Sequence, residues 1–244
     1  INALPDEKVE AIEKFVEELS GDVSLGHLGL NAGKGISSHA FGKLSEVDSR
    51  SALRFEMYGE DTLETYLAAL GPVVSADQLI NLDGKTIAIE GFGEHGPAMI
   101  DLIEERGGKV ISISTLSGSI SEPSSFDTSD IRGRWGESGV DFVKSADGEV
   151  EPAWKVFQSG ADILFTGSKM GAVNHLTAEK LKVAALVPHQ PIPFTARALA
   201  ILQRNNTIVV PDFIAVAAPI FASWPGENTD VSQVIQSSID HISG

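Results

Sequence analysis

The chain has 244 residues, of which 42% are hydrophobic and 21% charged, enough apolar material for one large core or a core plus a smaller one. Its 34 acidic and 18 basic side chains leave a formal net charge of -16, which with no segregated basic patch argues against nucleic acid and anionic membrane surfaces as partners. With zero cysteines, disulfides, thiol catalysis and cysteine-held metals are excluded.

The chain opens on Ile1, so the N-terminus is expected to be trimmed or part of a longer product. The apolar residues Val9, Ile12, Phe15, Val16 and Leu19 recur at helical spacing, predicting a helix over 5–21 that starts at Pro5 and Asp6 and stops at Gly21. Residues 21–43 are rich in Gly and Ser without a period, and "DTLETYLAALG" at 61–71 predicts a second helix ending at Gly71. From residue 85 the pattern changes. Strand-like runs at 86–92, 109–115, 162–167, 183–187 and 207–211 alternate with helical runs near 97–106, 151–159, 177–181 and 195–204. That alternation predicts an α/β fold with a doubly wound, mainly parallel sheet of Rossmann type, preceded by a short mixed N-terminal region. Residues 117–150 read as a long polar insertion with helical capacity only near 129–144. The run 208–224 is interrupted by Pro211, Asp212 and Pro219 and falls short of the ~20 apolar residues that span a bilayer, so a cytoplasmic location is expected. Near the C-terminus, Val231, Val234, Ile235, Ile239 and Ile242 form one apolar stripe that must pack on the chain's own core or on a second subunit.

In "IEGFGEHGPAM" the glycines at 91, 93 and 96 make a G-x-G-x-x-G where a strand ends and a helix begins. Gly91 would permit the tight turn, Gly93 the approach of backbone to a pyrophosphate and Gly96 close helix packing, with free helix N–H groups facing the anion. Gly91, Phe92, Gly93, Glu94, His95 and Gly96 are therefore candidate cofactor-binding residues. The second strand ends "ISISTLSG", so Ser114, Thr115 and Ser117 stand where an NAD-binding acid is expected about 20 residues on, with no carboxylate until Glu122. Hydroxyls in place of a carboxylate favour NADP, or the use of both NADP and NAD; the other reading is that the ribose grip has been lost altogether. Thr166 and Gly167, at the end of "DILFTG", complete the cofactor set.

"LDGKTIAIEGFGEHGPAMIDLIEERGGKVISIS", then "SGSI" and "GADILFTGS", resembles the nucleotide-binding domain of the glutamate/leucine/phenylalanine/valine dehydrogenases. "TARALAILQRNNTIVVPDFIAVAAPIFASW" is similar to that family's late segment, so the resemblance covers about 82–224. It implies an NAD(P)-dependent amino acid dehydrogenase of the glutamate dehydrogenase type, oxidising an L-amino acid to a 2-oxo acid or running the reverse amination, and acting as a homo-oligomer. The alternative is a non-catalytic NAD(P)-binding or regulatory module derived from that fold. Residues 1–81 would then be an abbreviated substrate domain and 82–244 the nucleotide-binding domain with its C-terminal helix. The family's Pro-Ala-Pro-Asp element is absent, Val216 stands in place of an asparagine, and Ala218-Pro219 replace a glycine pair near the nicotinamide. "LGLNAGKGISS" at 28–38 matches either the segment holding a substrate lysine or the loop leading into the nucleotide-binding domain, so Lys34 is a candidate catalytic cation or a plain loop lysine.

Six histidines show no helical pairing, so no metal site is expected. His189 follows a strand where open α/β sheets place ligands, and it is a candidate acid or base or else a loop residue holding backbone groups. No G-x-S-x-G is present, which argues against a hydrolase.

Overall fold

The computed structural model describes residues 4, 6–30, 42–145 and 150–244, in two compact units, Ile1–Ala52 and Leu53–Gly244. In the first, helices α1 (Lys8–Ser24) and α2 (Gly42–Val47) bury Ile12, Val16, Val23 and Leu44 together. Helix α1 does not stop at Gly21. Burial of Val23 carries it a further turn, and the chain turns away at Gly26, whose φ is 74°. Val9, expected on the apolar face, is exposed.

In the second unit a two-residue hairpin, β1 (Met57–Tyr58) with β2 (Asp61–Thr62), leads into helix α3 (Leu63–Ile80), capped by the Thr62 hydroxyl accepting from Thr65 N. Then follow β3 (Thr86–Glu90), α4 (Gly96–Glu104), β4 (Lys109–Thr115), β5 (Gly118–Ser121), α5 (Thr128–Ser138), β6 (Ile163–Thr166), α6 (His175–Lys180), β7 (Ala185–Pro188), α7 (Ala196–Arg204), β8 (Ile208–Val209), α8 (Asp212–Ala215), α9 (Pro219–Ser223) and α10 (Val231–Ser243). Two 3-10 turns, Gly139–Ser145 and Ala153–Gln158, lie between α5 and β6; the second occupies the place of the helix expected at 151–159.

The six-stranded sheet runs β5-β4-β3-β6-β7-β8, and every pair is parallel except β4 with β5. The fold class is the one that the alternating pattern predicts. After β4 the chain returns to the other side of β3, so the switch in strand order falls between β3 and β6. Both faces of the sheet are covered. Ile87, Ile89, Ile163, Phe165 and Val187 pack with residues of α3, α4 and α10, whereas Ala88, Leu164 and Leu186 pack with those of α6 and α7. The apolar stripe of α10 thus has its partner: Val234 is buried and Val231, Ile235, Ile239 and Ile242 pack on the core that contains α3.

Two local expectations fail for identifiable reasons. The stretch after β4 is not all loop: Gly118, at φ 148°, lets the chain reverse, and β5 pairs back on β4 with Ile120 buried. Helix α3 passes through both Gly71 and Pro72 because Leu63 to Ala76 line the core almost continuously. A Cβ on Gly71 would sit 2.3 Å from the Ala215 carbonyl oxygen, so this glycine serves helix packing and not helix termination. Gly71→Ala is expected to lower stability by about 1–3 kcal/mol through overpacking, although alanine favours an exposed helix by up to ~1 kcal/mol over glycine. Urea denaturation of the two proteins measures the sign.

Candidate functional site

The glycine loop leaves the C-terminal end of the central strand β3. Gly91 has φ 85°, and a Cβ there would lie 2.4 to 2.8 Å from Ser168 N, Cα and Cβ, so the loops after β3 and β6 touch through backbone. Ser114 O accepts from Gly91 N (3.1 Å) and Phe92 N (2.8 Å), tying the loop to β4. Phe92 is buried against Trp135 and Phe142, with ring centroids 5.4 Å away in both cases. A Cβ on Gly96 would come within 2.7 Å of that ring. Gly93 differs from both. A Cβ there would meet only Gly91 O, at 3.8 Å, so this side of the loop is open to an approaching group. Gly96 N donates to Gly93 O (2.8 Å), and α4 then begins with His95 at its cap and Pro97 in its first turn. Glu94 is exposed.

Behind the loop lies a buried polar network. Glu90, the last residue of β3, is 5% exposed, and its Oε2 accepts from Thr166 Oγ1 (2.8 Å), Gly167 N (3.0 Å) and Ser168 N (3.1 Å). His189 follows β7, with its Nε2 2.8 Å from Glu90 O and its Nδ1 2.9 Å from His95 Nε2. Because a carbonyl only accepts, His189 carries its proton on Nε2, and its Nδ1 accepts from the Nε2–H of His95. The imidazole of His189 also fills the space beside Gly167, where a Cβ would fall 2.6 to 2.8 Å from its ring atoms. Burial, with His189 as a secondary influence, pushes His95 down to about 3, so it is neutral in the folded protein.

At the end of β4, Ser114 and Thr115 are buried. The Thr115 hydroxyl donates to Val140 O (2.7 Å) and accepts from Ser117 N (3.0 Å), so it points into the protein. Ser117 Oγ donates to Asp141, whose carboxylate also pairs with Lys144 at 2.7 Å. A carboxylate thus reaches the end of the second strand from the 3-10 turn after α5, where the linear sequence offered none before Glu122. On the far side of the sheet, Asp212 accepts from Ile192 N (2.7 Å) and ties the loop after β7 to α8.

The structure therefore brings Gly91, Phe92, Gly93, Glu94, His95, Gly96, Ser114, Thr115, Thr166, Gly167 and His189 to one edge of the sheet. Lys34 lies outside the described residues. Glu90 and Asp141 were missed by sequence reasoning. Glu90 had a signal in an acid closing the apolar run "TIAI", while Asp141 had none, being brought in by a fold of the polar insertion.

The free side at Gly93 and the start of α4 suit a pyrophosphate. The other half of the crevice differs, since Thr166 and Gly167 already donate to Glu90 and an imidazole covers Gly167. The pyrophosphate of a dinucleotide fits the open side at Gly93, whereas a nicotinamide over Gly167 meets the His189 ring in this conformation.

The Glutamate/Leucine/Phenylalanine/Valine dehydrogenase family model matches residues 66–224. Glutamate dehydrogenase of Thermotoga maritima is 32% identical over 152 residues, 61% of this chain and 36% of that protein. NADP-specific glutamate dehydrogenase of Saccharolobus shibatae is 25% identical over 164 residues, 65% of this chain and 38% of that protein. This chain thus spans well under half the length of these curated relatives. Hetero-hexameric glutamate dehydrogenase from Thermus thermophilus, in a Leu-bound form, shares the fold with a TM-score of 0.72 and 17% identity, covering 99% of this chain and 63% of that one.

A neutral buried His95 makes the protein acid-sensitive. Below the ordinary imidazole value of 6.5 the unfolded chain takes up a proton that the folded chain refuses until about 3. Stability contributed by this group is complete above that window and falls with pH inside it, by about 1.4 kcal/mol per pH unit. His95→Val removes the group, and denaturant midpoints measured from pH 7 to pH 4 are expected to fall less steeply in the variant than in the parent.

Proposed function

Since the chain belongs to the glutamate/leucine/phenylalanine/valine dehydrogenase family, we propose that it carries the NAD(P)-binding part of an amino acid dehydrogenase of the glutamate dehydrogenase type. Its reaction would be the oxidative deamination of an L-amino acid to a 2-oxo acid, or the reverse amination. The observation that carries this reading is the glycine loop at the end of the central strand, with its open side at Gly93, inside the segment that matches the family. When bound, the dinucleotide would supply the hydride acceptor. The chain's own contribution would be a backbone cradle from Gly91 to Gly96 for the pyrophosphate.

The curated relatives include both NADP-specific and NAD-specific enzymes. Hydroxyls at the end of β4 favoured NADP, but with Thr115 turned inward and Asp141 beside Ser117, the proposed cofactor is NAD. A carboxylate there grips ribose hydroxyls and repels a 2'-phosphate. Homo-oligomeric assembly and a cytoplasmic location belong to the same reading; among the described residues no helix is long and apolar enough to cross a membrane.

A second reading, a non-catalytic nucleotide-binding or regulatory module, is favoured by the engagement of Thr166 and Gly167 with Glu90 and by Val216 and Ala218-Pro219 in place of the family's polar and glycine residues.

Thermal-shift titration with NAD and NADP tests the site, and reduction of the bound dinucleotide by a panel of L-amino acids, followed by absorbance, tests turnover. A ligand at a hundredfold excess over its dissociation constant stabilises the folded state by about 2.7 kcal/mol. Stabilisation by NAD with amino-acid-dependent reduction is the expected result. Stabilisation without reduction supports the second reading, and no stabilisation by either dinucleotide sinks both. Asp141→Ser is expected to shift the affinity ratio toward NADP by roughly tenfold, about 1.4 kcal/mol.

A further inference from the structure

The buried pair His95–His189 sits where a dinucleotide-binding fold places the second half of its ligand. In such sheets the two mononucleotide halves lie on either side of the switch in strand order, here between β3 and β6. The adenosine half belongs over the loop after β3 and the end of β4, and the nicotinamide half over the ends of β6 and β7. On the first side the approach at Gly93 is free. On the second, the ring of His189 covers Gly167, and His95 and His189 are 7% and 2% exposed. The groups that would greet a ligand there are engaged by the protein, since Thr166 Oγ1, Gly167 N and Ser168 N all donate to Glu90. The pair is also closed on itself, because His95 donates to His189 and His189 to Glu90 O. An entering nicotinamide ring would have to displace an imidazole, break both of these bonds and leave the Glu90 carbonyl without the histidine.

We infer that in this conformation the site receives the adenosine 5'-diphosphate half of a dinucleotide alone, with the His95–His189 pair standing in the place of the nicotinamide half as a gate. The nicotinamide enters only when the pair parts. This rests on nucleotide binding at the glycine loop as proposed above, and not on turnover.

Isothermal titration of the full chain at pH 7.5 with ADP-ribose and with NAD tests the inference. Equal affinities within about threefold are expected, since the nicotinamide would add nothing to binding in the closed state. His189→Gly empties the space beside Gly167 and is expected to tighten NAD at least tenfold while ADP-ribose stays within about twofold. His95→Ala removes the other half of the pair and gives the same selective gain if the glycine variant fails to fold. Parental NAD binding more than tenfold tighter than ADP-ribose overturns the gate and leaves the proposed function standing, as does a parallel change of both ligands in the variants. Binding of neither ligand to the parent overturns the nucleotide-binding reading and the gate with it.

Discussion

A single carboxylate organises the functional edge of this sheet. Glu90 ends the central strand, in register with Ser114 on one side and Thr166 on the other, and its buried oxygen accepts three hydrogen bonds from the strand and loop that follow on the far side of the switch point. Each donor left unpaired in such a place costs about 1–3 kcal/mol, so the loop after β6 has one economical path. That path brings Ser168 against Gly91, which in turn requires a glycine there. The Glu90 main-chain carbonyl then serves as the anchor for His189, and His189 for His95. Three loops are set by one residue whose side chain and main chain act in different directions.

Fold and site follow separate rules in this molecule. The sheet is specified by apolar residues that alternate between its two faces, and any set of that shape closes the same layers. This is why the architecture survives at 17% identity to a solved glutamate dehydrogenase. The loops at the strand ends obey no such averaging, and a few side chains, Phe92, His95 and His189 among them, decide what space remains.

The same division explains what could be read in the sequence. The parallel strands, the glycine loop and the stripe on α10 are local patterns whose periods match one kind of element, and they were legible. Gly71-Pro72 looked like an ending because local punctuation said so, yet the burial of α3 along nearly its whole length overrode it. Strand β5 was hidden because serines dominate it and its pairing depends on a reversal at Gly118. The histidine pair was invisible as a pair: residues 95 and 189 are far apart in the chain, and nothing in the glycine loop around His95 or in the segment after β7 points to the other. Asp141 entered the site by a route that only the folded insertion reveals.

Helix α10 supplies one side of the core to which α3 belongs, although the entire sheet is synthesised between them. As the chain leaves the ribosome, α3 emerges early with apolar side chains that find their final cover only after the strands have been made. The intermediate that carries β3 through β8 without α10 therefore exposes a sticky surface for as long as translation takes to cross that interval. Vectorial synthesis makes this helix pair a junction that closes only after the sheet has been made, set by the order of the elements along the chain and not by the strength of any contact.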